Sequence, residues 1–104
     1  MFGNEKKSIK LSNLENNRFS IITEDLDHCY LCGRNKDNLH EVYEGAKRQL
    51  SMKYGCVLPL CYQHHIMIHY DRNMALFYKK IMQGKFIEVY PDLNFTDIFK
   101  INYL

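Results

Sequence analysis

Cys29-Tyr30-Leu31-Cys32 and Cys61-Tyr62-Gln63-His64 repeat one spacing, in which two ligand-type side chains flank two other residues. A two-residue spacer lets both members of a pair reach the same ion from a tight turn, and two such pairs complete a tetrahedron. Three soft thiolates and an imidazole suit Zn²⁺, which has no d-electron geometric preference and takes four N or S ligands at about 2.0–2.3 Å. Cys29, Cys32, Cys61 and His64 are therefore read as a structural zinc set, with His65 as the alternative fourth ligand. Cys56 lies outside both pairs and reads as a small core hydrophobe. A closed four-ligand shell has no open position for substrate, so any chemistry belongs to other residues.

Working outward from the first pair, Gly33 can take the positive φ that a tight knuckle needs. Leu39-His40-Glu41-Val42-Tyr43 alternates as a strand, with His40 and Val42 on one side and Leu39, Glu41 and Tyr43 on the other. Gly45 to Gly55 reads as loop or short helix. Val57-Leu58-Pro59-Leu60 reads as a second short strand, its proline suiting an edge, and Cys61 closes it. Tyr62 to His69 can start a helix. Asp71 is a plausible N-cap for a longer helix that runs to about Tyr90 and stops at Pro91. Along that helix Met74, Phe77, Tyr78, Ile81, Met82, Phe86 and Val89 recur at three- and four-residue steps and read as a stripe for core packing. Asn94 or Thr96 can cap a short last helix, with Ile101, Tyr103 and Leu104 folding back on the body.

The 104 residues suffice for one core, and the organisation reads as a polar leader or loose hairpin over 1–26 followed by a zinc-binding domain over 27–104. The hairpin would pair Ser8-Ile9-Lys10-Leu11 with Phe19-Ser20-Ile21-Ile22 around Asn13, Asn16 and Asn17. With 46% hydrophobic and 25% charged residues, the chain is neither a disordered segment nor a disulfide miniprotein. No apolar run approaches a bilayer span and no secretory signal precedes the domain, so a cytoplasmic location with reduced thiols and no membrane partner is expected. A net charge of +2 does not by itself announce a nucleic-acid binder, although Lys6-Lys7, Lys47-Arg48, Lys53 and Lys79-Lys80 could meet phosphates.

Once zinc takes His64, His28, His40, His65 and His69 are left over. His65 follows the last zinc ligand, and His69 lies one helical turn beyond it on the same face. With Cys29-Tyr30-Leu31-Cys32, His40-Glu41-Val42-Tyr43-Glu44-Gly45-Ala46, Leu50-Ser51-Met52-Lys53-Tyr54-Gly55, Leu60-Cys61-Tyr62-Gln63-His64-His65 and the closing Asn102-Tyr103-Leu104, the chain from residue 28 onward resembles the HNH, or ββα-metal, nuclease family in its zinc-finger form. The resemblance is greatest to short endonuclease-like proteins of phages and prophages of Gram-positive bacteria.

That resemblance implies an α+β fold: a small zinc-stabilised treble-clef or ββα-metal-like core with C-terminal helices. It implies that His40 is a catalytic general base, that His65 takes part in catalysis as ligand to a Mg²⁺ or Mn²⁺ ion, and that His69 is a second ligand or a phosphate contact. The expected activity is hydrolysis of DNA phosphodiester bonds in a bacterial host cell. The alternative is a catalytically inactive zinc module that binds nucleic acid or a host or phage protein, such as an accessory or counter-defence factor. Leu39 stands where the family often has a ligand before the base, and Cys56 and Lys47 stand where asparagines are expected. Glu41 and Glu44 could supply the absent carboxylate, although alternation places Glu41 on the opposite side of the strand from His40.

Overall fold

The computed structural model describes residues 8–104, so the Lys6-Lys7 cluster and the start of the leader lie outside the described residues. The fold is α+β. Its elements are α1 (Ile9–Asn16), β1 (Asn38–Glu41), a 3₁₀ turn at Gly45–Lys47 leading into α2 (Arg48–Tyr54), β2 (Val57–Leu60), α3 (Tyr62–Tyr70), α4 (Arg72–Val89) and α5 (Phe95–Phe99). Among the described residues no helix is long and apolar enough to cross a membrane.

The loose hairpin expected near the N-terminus is a helix instead. Ser8 caps α1 by accepting a hydrogen bond from the Leu11 N–H at 3.0 Å, and the local i to i+4 bonds this starts leave Ile9 and Leu11 no strand partner. Residues 17–37 then form turns. Arg18 pairs with Glu41 across the molecule, and the Ile21 N–H donates to the Gly55 carbonyl at 2.9 Å.

β1 and β2 form an antiparallel ladder in which Asn38, Leu39, His40 and Glu41 face Leu60, Pro59, Leu58 and Val57. β1 is shorter than the alternation suggested. Tyr43 leaves the ladder because the buried Ser51 hydroxyl takes the role of a partner strand, accepting from the Tyr43 N–H at 3.1 Å and donating to its carbonyl at 2.7 Å. α2 stops at Gly55, whose φ of +75° is left-handed. A Cβ there would also sit 2.5 Å from the Phe19 ring, so the turn into β2 requires glycine on both counts.

Asp71 caps α4 as its sequence suggested, accepting from the Met74 N–H at 3.0 Å. The apolar stripe is only half inward. Met82 and Phe86 are buried and Met74 and Tyr78 pack against the core, whereas Phe77, Ile81 and Val89 are exposed. The buried line instead takes in Gln83 and partly buried Ala75 and Tyr90. Asn94, not Thr96, caps α5. Of the three closing residues, Tyr103 packs back while Ile101 and Leu104 are exposed.

The core is one cluster. It runs from Cys29 and Cys61 through Val42, Leu58 and Leu60 to Tyr43, Phe86, Phe95 and Phe99. Phe95 and Phe99 stack at 4.5 Å, and Tyr43 meets both rings. Fully burying Phe86 or Phe99 contributes roughly 2–3 kcal/mol each from removed apolar surface alone.

Candidate metal centre and histidine face

The two spaced pairs are brought together by the ladder. The Tyr30 N–H donates to the Pro59 carbonyl at 2.8 Å and the Asp37 N–H to the Leu60 carbonyl at 2.9 Å, which docks the knuckle beside the end of β2. Pro59 gives up only a donor and keeps the carbonyl that holds the knuckle. Within the knuckle the Gly33 N–H donates to the Cys29 carbonyl at 2.8 Å, with Gly33 at φ +78°. β2 delivers Cys61 to the N-cap of α3, and His64 follows one turn on, so both face the knuckle. Arg34 reaches across to Gln63 and ties the two pairs a second time.

Cys29, Cys32, Cys61 and His64 place their ligand atoms within 4.8 Å of one another, and together they could hold a metal ion such as zinc. The Cys29 Sγ to His64 Nδ1 distance is 3.6 Å, Cys61 Sγ to His64 Nδ1 is 3.4 Å, and Cys32 Sγ to Cys61 Sγ is 3.8 Å. A regular tetrahedron with Zn–S near 2.3 Å and Zn–N near 2.0–2.1 Å has S–S edges of about 3.8 Å and S–N edges of about 3.5 Å. The observed edges fit that figure, and all four cysteines are free thiols. Nδ1 is therefore the imidazole atom aimed at the centre. Burial pushes the Cys29 thiol up, but backbone N–H groups of Cys61, Leu31 and Cys32 outweigh it and bring the thiol down to about 6, toward the thiolate a metal needs. Cys56 is fully buried in the core, where burial pushes its thiol up to about 12, so it is an inert apolar side chain.

The remaining histidines divide. His28 is exposed and bonded to Asp25 at 2.9 Å. His40 points inward from β1, and its ring centroid lies 5.4 Å from that of His65 on α3. Burial, followed by the positive groups His65, Lys79 and His69, brings His40 down to about 4, so it is neutral at pH 7. His40 and His65 are thus neighbours, with His65 next along the chain from His64, while His69 lines a cleft one helical turn further on. Among the described residues, the Cys29, Cys32, Cys61 and His64 group is the one set of three or more metal-binding side chains that close together. His40, His65 and His69 do not bring three ligand atoms within that range, and Leu39 before His40 is apolar. Mg²⁺ prefers oxygen ligands, and this imidazole set does not fit it.

Glu41 turns to the opposite side, as strand alternation requires, and is engaged by Arg48 at 2.8 Å and Arg18 at 3.2 Å. Arg48 also pairs with Glu15 at 2.6 Å, which takes it out of contention for phosphate binding. Glu44 behaves differently. It lines a cleft of about 680 Å³ with His69, Arg72, Lys79 and Tyr103. Lys79 belongs to a cluster visible in the sequence, whereas Arg72, Glu44 and Tyr103 come from three separate segments whose meeting no local pattern signals. No family model, curated protein or solved structure matches the chain.

Proposed function

We propose that this chain is a zinc-clasped, HNH-like module that acts on DNA by engaging its phosphodiester backbone with the face carrying His40, His65 and His69. One observation carries the reading. His69, Arg72 and Lys79 line one open cleft, and the His65 ring stands 5.4 Å from that of His40 at the base of α3, which gathers basic side chains on the surface beside the clasp. Such a surface attracts phosphates and gives salt-dependent binding. Two ligands from a knuckle before a hairpin and two from the first turn of the next helix are also what a treble-clef zinc site uses. The zinc would be structural, holding knuckle and helix together through Cys29, Cys32, Cys61 and His64.

A second reading adds hydrolysis, and the neutral ring of His40 beside His65 favours it. His40 would take a proton from water as that water attacks phosphorus and the leaving oxygen departs. A base near 4 is weak for this at pH 7, and the adjacent Leu39 offers no ligand for a catalytic ion. Binding is therefore the primary reading and cleavage the secondary one.

A plasmid assay with Mg²⁺, Mn²⁺ or Ni²⁺, run beside a gel-shift assay on duplex DNA, tests both. Retardation that weakens with salt, with His69→Ala and Lys79→Ala weakening it further, is the expected result. Nicking by the parent chain that His40→Ala abolishes would promote the hydrolytic reading. No retardation at low salt would remove DNA as the partner.

A further inference from the structure

The cleft bounded by Glu44, His69, Arg72, Lys79 and Tyr103 has a charge layout that the DNA-binding face alone does not require. Its volume of about 680 Å³ falls within the range of small-ligand sites, roughly 300–1,000 Å³. Arg72 and Lys79 come from α4 and His69 from the end of α3, so the cationic side is built by one helical hairpin. The Glu44 carboxylate and Tyr103 reach the same cleft from other segments, Tyr103 directly beneath the Lys79 ammonium, with Leu76 providing apolar lining.

Tyr103 and the Lys79 backbone are fixed by buried polar groups, and Glu44 follows directly on buried Tyr43. Buried Gln83 accepts the Tyr103 N–H at 2.8 Å through Oε1 and donates to Asn102 Oδ1 at 2.8 Å through Nε2, clamping the closing residues against α4. The Tyr103 ring stacks on buried Tyr43 at 5.5 Å. The Tyr43 hydroxyl in turn donates to the Lys79 carbonyl at 2.7 Å, and the Lys79 ammonium lies over the Tyr103 ring at 5.7 Å. A cleft whose two sides are bonded to the same core is preformed, which lowers the ordering cost of binding.

We infer that this cleft holds a single unpaired nucleotide whose base carries an exocyclic amino group, with its phosphate toward Arg72, Lys79 and His69 and its base edge toward Glu44. The chemistry is directional. A carboxylate accepts a hydrogen bond from the cytosine N4 amino group, whereas thymine presents the O4 acceptor at the corresponding position and meets like polarity. A cleft of this size that takes in one whole nucleotide cannot do so while the base is stacked in a duplex, so it selects an unpaired nucleotide. The inference deepens the DNA reading and rests on it for its biological context, but the cleft's own binding can be measured without DNA.

The zinc-loaded full chain, labelled with ¹⁵N, is titrated with dCMP, dTMP and inorganic phosphate while amide shifts are followed, and duplex gel shifts are run in parallel. Shifts at Glu44, Arg72 and Tyr103 are expected, with dCMP binding about fivefold tighter than dTMP and phosphate weakest. Glu44→Gln should abolish the dCMP advantage and leave phosphate binding intact, and Arg72→Ala should weaken all three probes. Equal affinity for dCMP and dTMP, no response at the cleft, or a dCMP preference that survives Glu44→Gln would each overturn the inference. Duplex binding without any cleft response sinks the cleft alone. A cleft response without duplex binding sinks the DNA reading and leaves the nucleotide site standing.

Discussion

The Cys29, Cys32, Cys61 and His64 group and the aromatic core share one buried cluster, yet they are built differently. Around Phe86, Phe95 and Phe99 the chain is secured by area removed from water and by ring contacts at 4.5–6.0 Å. Cys29 and Cys61 are buried at the edge of the same cluster, beside Leu60 and Ile68. Cys32 is exposed, and the knuckle is tied to the body by a few backbone bonds and by its ligand geometry. In a chain of this length a metal bound there would add to what apolar burial supplies. The two regions should therefore fail separately.

Removing a ligand gives the largest expected effect. Cys61→Ala should lose the metal and unfold the knuckle, because the binding free energy of a structural zinc, on the order of 10 kcal/mol, is also folding free energy. Circular dichroism and metal analysis of the variant check it, and a stable, metal-replete Cys61→Ala would break the contrast. Phe99→Ala should cost about 3–5 kcal/mol in urea denaturation while the purified variant still carries its metal. Loss of metal in that variant would show that the two regions are one cooperative unit.

A pH effect comes next. The folded state holds His40 near 4 against an ordinary value of 6.5, so between those values the unfolded chain binds more protons. Stability contributed by keeping His40 neutral is thus fully present above about pH 6.5 and is lost as pH falls toward 4. Between pH 7 and pH 5 the parent chain should lose about 2 kcal/mol more than His40→Gln. Comparing the two cancels acid effects on the metal ligands that both share, and identical slopes would contradict the burial argument. The smallest effect is Tyr43→Phe. It removes the bond to the Lys79 carbonyl and should cost about 1–2 kcal/mol, with no change in metal content.

The meeting of Cys29, Cys32, Cys61 and His64 was legible in the sequence because the spacing is short-range: each pair fits within one turn, and Gly33 marks the knuckle. α4 was legible from Asp71 and Pro91, and β2 from its apolar run. α1 was misread because Ile9 and Leu11 suit a strand or a helix equally, and the Ser8 cap decided between them. Phe77 and Ile81 were misread as core because periodicity reports a face without saying how wide the covering surface is. Gln83 carried no local signal, since its role arises from a contact between α4 and residues about 20 positions later.

X-ray absorption spectroscopy at the zinc edge on protein purified without added chelator tests the clasp most directly. One zinc per chain with three sulfurs at about 2.3 Å and one nitrogen at about 2.0 Å is the outcome expected. A folded protein without bound metal, or a shell of nitrogen and oxygen alone, would contradict the assignment of Cys29, Cys32, Cys61 and His64 to one ion.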